Sequence, residues 1–406
     1  MFKLLVLLIC VYASAAYGDI DYDHILKQAD NLKTSAPKQS SDLLESIDKT
    51  QLSKEQKDLY SLIIANNFFT FGKPNKAKKS TLQLLEEAPE ISIKIRALTQ
   101  LITFYITINE WPNAIHTTKS LQQELSLASQ LDSTIREQAE FKIFDFYNQI
   151  GEYQHAKKLG VELISKATNT KVRCLIETNL LNSHMETTPE QISPGDFYHV
   201  QSLCQAIKDP MLDNIVNAYF AKYYLIIKQP SEALEVLNKN IDYVKTTGYQ
   251  ALIASFYELM ATAYLAKKDY LQAEKHAQIV LDTQQQHQYD PSITAAYKVM
   301  SEVTKQAKNF EQALYYYQAY SNAKQLNLDQ ENAKLLALQK AEFDDAEKSV
   351  KIALLDKENA LLKTQALLDS TAAQNKRLAL ALLSIVLIVF VLWTYKNRRN
   401  YLRMQH

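Results

Sequence analysis

Cys174 and Cys204, with His184 and His199 between them, are the residues whose types could do redox or metal chemistry. Two such thiols can oxidise to a disulfide, join imidazoles around zinc, or remain separate buried side chains. Their spacings match no compact zinc-ligand pattern. Other candidates are weaker. The eight histidines are scattered, and no His-Glu-x-x-His, Gly-x-Ser-x-Gly or glycine-rich phosphate loop occurs. Glu86-Glu87 and Asp344-Asp345 are adjacent carboxylates, but sequence neighbours on a helix point apart, so they read as solvated faces. His155 and His276 sit beside small residues and read as packing positions. No enzyme activity, catalytic residue, metal or cofactor is expected. With 45 basic and 45 acidic residues, nothing favours a nucleic-acid partner.

The elements that must position any site are repeated. Residues 257–277 read Tyr257-x2-Met260-Ala261-x2-Tyr264, then Asp269-Tyr270 and Ala273-x3-Ala277. Forty residues on, Tyr297, Met300, Asn309-Phe310 and Ala313 fall in register; forty back, Ala221, Tyr224, Leu225 and Ala233 do so. A fixed period in this range marks a solenoid whose unit is a helix pair. Small residues at Ala261 and Ala273 let two helix axes approach, while Tyr257 and Tyr264 fill the space beside them. The second-helix small residue recurs at Ala156, Ala114, Ala77 and, less clearly, Ser41. Pro74 and Pro112 lie near helix starts, where a missing N–H costs nothing. A degenerate unit is expected with helices at 171–186 and 195–207, giving eight helix pairs between Tyr22 and Asn327. Few glycines (6) and prolines (9) agree with an all-α chain.

Lys3, the apolar run from Leu4 to Val11, and Ala13-Ser14-Ala15-Ala16-Tyr17-Gly18 form a secretory signal peptide over 1–18. Ile9 before Cys10 argues against a lipoprotein. An exported chain makes the Cys174–Cys204 disulfide the leading reading, because the two cysteines lie at neighbouring ends of one expected hairpin. The solenoid occupies 19–327. Over 328–377 the repeat stops, and Leu354, Leu361 and Leu368, with Ala346, Ala353, Ala360 and Leu367, form a seven-residue stripe interrupted by Lys357 and Thr364. It can be a short homodimeric coiled coil or a cap on the last repeat, in succession along one helix if both. Residues 378–395 are eighteen uncharged, mostly apolar residues, suited to one bilayer span. Lys396, Arg398, Arg399 and Arg403 follow it, which sets the tail at 396–406 on the cytoplasmic side. That tail is too short for a domain.

The repeat positions quoted above resemble the tetratricopeptide repeat, with a period longer than that family's usual value of about 34. The resemblance implies a concave groove lined by the first helix of each pair, taking up extended or helical peptides. Carried across, its register puts Asn66, Arg96, Thr99, Thr103, Gln138, Asp145, Asn148, Lys222, Glu258, Lys298 and Glu302 in that groove. Leu62 stands where the family's carboxylate clamp has a lysine, so that chemistry is not carried over. The order of segments resembles the periplasmic sensor half of bacterial membrane signalling proteins, of the diguanylate cyclase or histidine kinase type, without an output domain. The resemblance implies a single-pass protein of the bacterial inner membrane that binds a protein or peptide and acts in trans with an output protein. A static envelope scaffold and a truncated sensor remnant are the alternatives.

Overall fold

The computed structural model describes residues 21–34, 36–87, 89–283 and 291–404; the expected signal peptide lies outside them. Among the described residues are sixteen α-helices and no strand. They pair in order: α1 (Tyr22–Leu32) with α2 (Pro37–Glu45), α3 (Lys54–Thr70) with α4 (Pro74–Glu86), and α5 (Ile91–Thr107) with α6 (Trp111–Leu127). Next come α7 (Ser133–Gln149) with α8 (Tyr153–Lys166), α9 (Thr170–Thr187) with α10 (Pro194–Gln205), and α11 (Pro210–Ile226) with α12 (Pro230–Thr246). Last are α13 (Gln250–Ala266) with α14 (Tyr270–Thr283), and α15 (Pro291–Gln306) with the first turns of α16 (Phe310–Met404). Among the described residues these helices form a tetratricopeptide-like solenoid of eight helix pairs.

One corner recurs. The N–H groups of Lys73, Glu110, Glu152, Gln229, Asp269 and Asn309 each donate to the carbonyl five residues back, at 2.8–3.0 Å. This bond closes the first helix of a pair and needs a left-handed residue just before the donor. Gly72 and Gly151 supply it without a Cβ, but Asn109, Lys228, Lys268 and Lys308 adopt φ of 58–62° with one. The second helix then starts immediately, often on proline, as at Pro74, Pro112 and Pro230. Its small residue drops into contact with the first helix: Ala77, Ala114, Ala156, Ala233 and Ala273 are fully buried. In the first pair that residue is Ser40, not Ser41. Because α2 begins at Pro37, Ser40 faces α1 and donates its hydroxyl to the Ala29 carbonyl at 2.8 Å.

The degenerate pair is crosslinked. Cys174 and Cys204 lie on α9 and α10 with their sulfurs bonded and their Cα atoms 5.3 Å apart. Both are wholly buried beside Phe197 and Val200. Phe197 stacks on Phe220 at 4.7 Å, tying this pair to the next, and Phe220 stacks on Tyr224 of its own helix at 4.6 Å. On its other side Gly160 of α8 meets α9 so closely that an added Cβ would lie 2.7 Å from Leu180 Cδ2. His199 turns instead to Glu177, with Nε2 at 3.0 Å from Oε2, and His184 Nδ1 lies 3.3 Å from the Thr188 hydroxyl.

The fold divides inside α16, after Leu338. The second unit is helical from Gln339 to Met404, with every side chain from 342 to 400 exposed. The expected stripe is among them: Leu354, Leu361 and Leu368 are 64%, 64% and 59% exposed. Farther on, α16 contains a window of mean hydropathy 2.6, long and apolar enough to cross a membrane by length and composition.

Candidate functional site

Two clusters form on the face presented by the first helices. In the middle of the solenoid, Lys142 and Asp145 of α7 pair at 2.9 Å, and Glu186 of α9 pairs with Lys222 of α11 at 2.7 Å. Tyr219 of α11 stands among them. Burial pushes its phenol up to about 12, helped by Asp145, Tyr153 and Glu186. Tyr153, at the start of α8, is raised first by burial and then by Glu186 and by Glu331 of α16. Groups from α7, α8, α9, α11 and α16 therefore feel one another's charge.

The second cluster lies at the N-terminal end. Asp30 Oδ1 accepts from Lys33 Nζ and from Arg96 Nη2, each at 2.6 Å. Burial alone would raise this carboxyl; the two cations outweigh it and hold it below its ordinary value. Lys33 is lowered, by burial first and then by the like charges of Arg96 and Lys171. Asn66 Nδ2 donates to the Lys33 carbonyl at 3.2 Å.

Of the residues that the register assigned to the groove, Asn66 and Arg96 thus meet around Lys33, and Asp145 and Lys222 around Tyr219. Others serve their own helices. Thr99 donates to the Ile95 carbonyl at 2.8 Å, Thr103 to Thr99 at 3.5 Å, and Glu258 accepts from Thr262 at 3.1 Å. Glu302 pairs with Lys305 at 3.4 Å, while Gln138 and Lys298 are exposed. Asn148 is buried between helices, 4% exposed, and accepts from the Ser183 hydroxyl. Its side chain serves packing between α7 and α9.

Sequence reasoning missed Asp30, Lys33, Tyr153 and Tyr219, and it missed a contact on α16. Lys334 Nζ sits 4.9 Å from the centroid of the Trp111 ring, with its side chain only 16% exposed. Asn327 Nδ2 donates to Thr294 Oγ1 of α15 at 2.8 Å. The available signal was the spacing of small and polar residues at Ala323, Asn327, Gln330, Lys334 and Ala337.

The arrangement defines a class: a tetratricopeptide-like helical repeat. No family model and no curated protein matches the sequence. Solved structures do match the fold. A Rap protein complexed with competence and sporulation factor has a TM-score of 0.55 at 11% identity, over 76% of this chain and 99% of that one. The apo quorum sensor NprR from B. thuringiensis has a TM-score of 0.52 at 14% identity, over 79% and 93%. A multidomain signal-transduction ATPase with a tetratricopeptide repeat sensor, from Pyrococcus horikoshii, has a TM-score of 0.52 at 15% identity, over 80% of this chain and 51% of that one.

Proposed function

We propose that the chain is a membrane-anchored module that binds a protein or peptide along the inner face of its solenoid. In this reading residues 1–18 export the solenoid to a bacterial periplasm, and residues 378–395 cross the inner membrane. The tail is cytoplasmic, and a separate output protein receives the signal in trans. The exposed stripe at 346–368 joins two copies as a short coiled coil.

The observation that carries the proposal is the convergence of Asp145, Glu186, Lys222, Tyr153 and Tyr219 from three consecutive helix pairs. Unlike charges held half-buried beside phenols, on one side of a repeat array, suit a ligand that is itself polar and extended over several repeats. The fold neighbours support the same direction, since one was crystallised with a factor and another is a quorum sensor.

The test is a crosslinking pulldown from native membranes with the full chain and with a version lacking residues 378–406. A specific partner retained by both supports recognition by the solenoid, and a partner with an output domain that is lost with the span supports signalling in trans. No specific partner in either sample rejects the proposal.

A further inference from the structure

Part of α16 already lies against the solenoid. Along α16 up to Leu338, the sheltered residues include Tyr316, Tyr320, Ala323, Asn327, Gln330 and Lys334, three or four apart, and most residues between them are exposed. That spacing is one face of an α-helix. Ala323 is 7% exposed, so the helix axis comes close to its neighbours there. Asn327 is bonded to Thr294, Lys334 lies over Trp111, and Glu331 acts on Tyr153. Within eight residues α16 thus passes from a bond inside its own pair to Trp111 of the third pair, with Glu331 near enough to Tyr153 of the fourth to act on it by charge.

The contact at Trp111 is specific in kind. The ring is 3% exposed and its Nε1 has no hydrogen-bond partner, so what it offers a ligand is its π face. A lysine ammonium over that face is held by the ring quadrupole, more strongly where water is partly excluded. Glu331 Oε1 balances the same ammonium at 2.5 Å from one turn earlier.

An extended peptide would need side-chain amides to clasp its backbone. Two amides on the first helices are committed elsewhere: Asn66 donates to the Lys33 carbonyl and Gln100 to the Leu62 carbonyl. A helix satisfies its own backbone and asks the groove only for shape, charge and a stacking partner.

We infer that the inner groove is a receptor for an α-helix, that residues 316–338 are its resident occupant, and that a partner protein binds by presenting a helix of the same pattern in their place. The pattern is a stripe of small and amide side chains followed by a lysine that reaches Trp111. This rests on the reading of the inner face as the recognition surface. Binding and release of the resident are then two states of one equilibrium, biased by whichever helix fits better.

The experiment uses the full chain in detergent with Trp393→Phe, which leaves Trp111 as the only tryptophan of the two. Ala323→Arg puts a bulky charge at the most buried position of the segment and should expel the resident, seen as a red shift of Trp111 emission and loss of its protection from iodide. Lys334→Glu, which reverses the charge over the ring without adding bulk, should give the same changes more weakly. A synthetic peptide of residues 316–338 should then bind the Ala323→Arg chain and restore the emission. Its affinity should exceed that for the parent chain by at least about tenfold, because the resident no longer competes. A scrambled peptide should do nothing.

Unchanged emission in both variants overturns the inference, as does an expelled resident whose groove ignores the peptide. If that failure occurs while the crosslinked partner still binds the solenoid, the helix inference falls and the recognition surface stands. If the partner is lost too, both fall.

Discussion

The solenoid up to Leu338 and the unit from Gln339 onwards are built from the same secondary structure and obey opposite rules. In the first, burial follows shape. Ala323, Asn327 and Lys334 are sheltered although they are small or polar, because a surface curved to receive them is present. In the second, Leu354, Leu361 and Leu368 form a more apolar stripe and remain open. Hydrophobicity sets what a stripe gains by burial, but the partner surface decides whether it is buried.

The contrast predicts that substitutions sort into two kinds: those in the second unit change association and leave melting alone, and those in the solenoid do the reverse. The largest effect is expected from Leu354→Lys with Leu361→Lys. In detergent, analytical ultracentrifugation of the full chain should show dimerisation weakened by roughly 100-fold or more, because the apolar seam is lost. A parent chain already monomeric breaks the comparison on that side.

Next is Cys174→Ser. The bridge closes a loop of 30 residues, worth about 3–4 kcal/mol in the chain-entropy model. The oxidised parent should melt well above the variant and lose that advantage in reductant, with association unaffected. Gly160→Ala should cost about 1–3 kcal/mol, since its methyl would press on Leu180 and Phe144 in a packed seam. Denaturant titration reads it; a neutral result means α8 and α9 can separate without cost. The smallest effect is a gain. Lys268→Gly relieves a left-handed side-chain residue at φ 62° and should raise stability by about 0.5–1 kcal/mol. A loss there shows that the lysine side chain contributes more than its backbone strain costs.

Much of the fold was legible because each repeat imposes a local rule on one residue. Only a small side chain fits at Ala233 or Ala273, so the period reads directly from sequence. The expected hairpin at 171–186 and 195–207 lies within two residues of α9 and α10. The groove was legible only as a helix face. Arg96 and Asp145 face inward by register, but Arg96 meeting Asp30 depends on how α5 returns toward α1. That return is the sum of small rotations between successive pairs, none of which has a residue signature. The same summation brings Lys334 to Trp111, a contact spanning more than 200 positions of sequence. Asn148 shows the reverse error, since a polar residue on the right face was drawn inward by Ser183.

The resident helix is joined to the last repeat by the single turn between α15 and α16. A tether that short holds its segment at an effective concentration on the order of millimolar. A free helix of equal intrinsic affinity must approach that concentration before it occupies half of the grooves. Affinity measured on the intact chain is therefore a difference between two helices, and it reports the stronger ligand only after the tethered one has been counted.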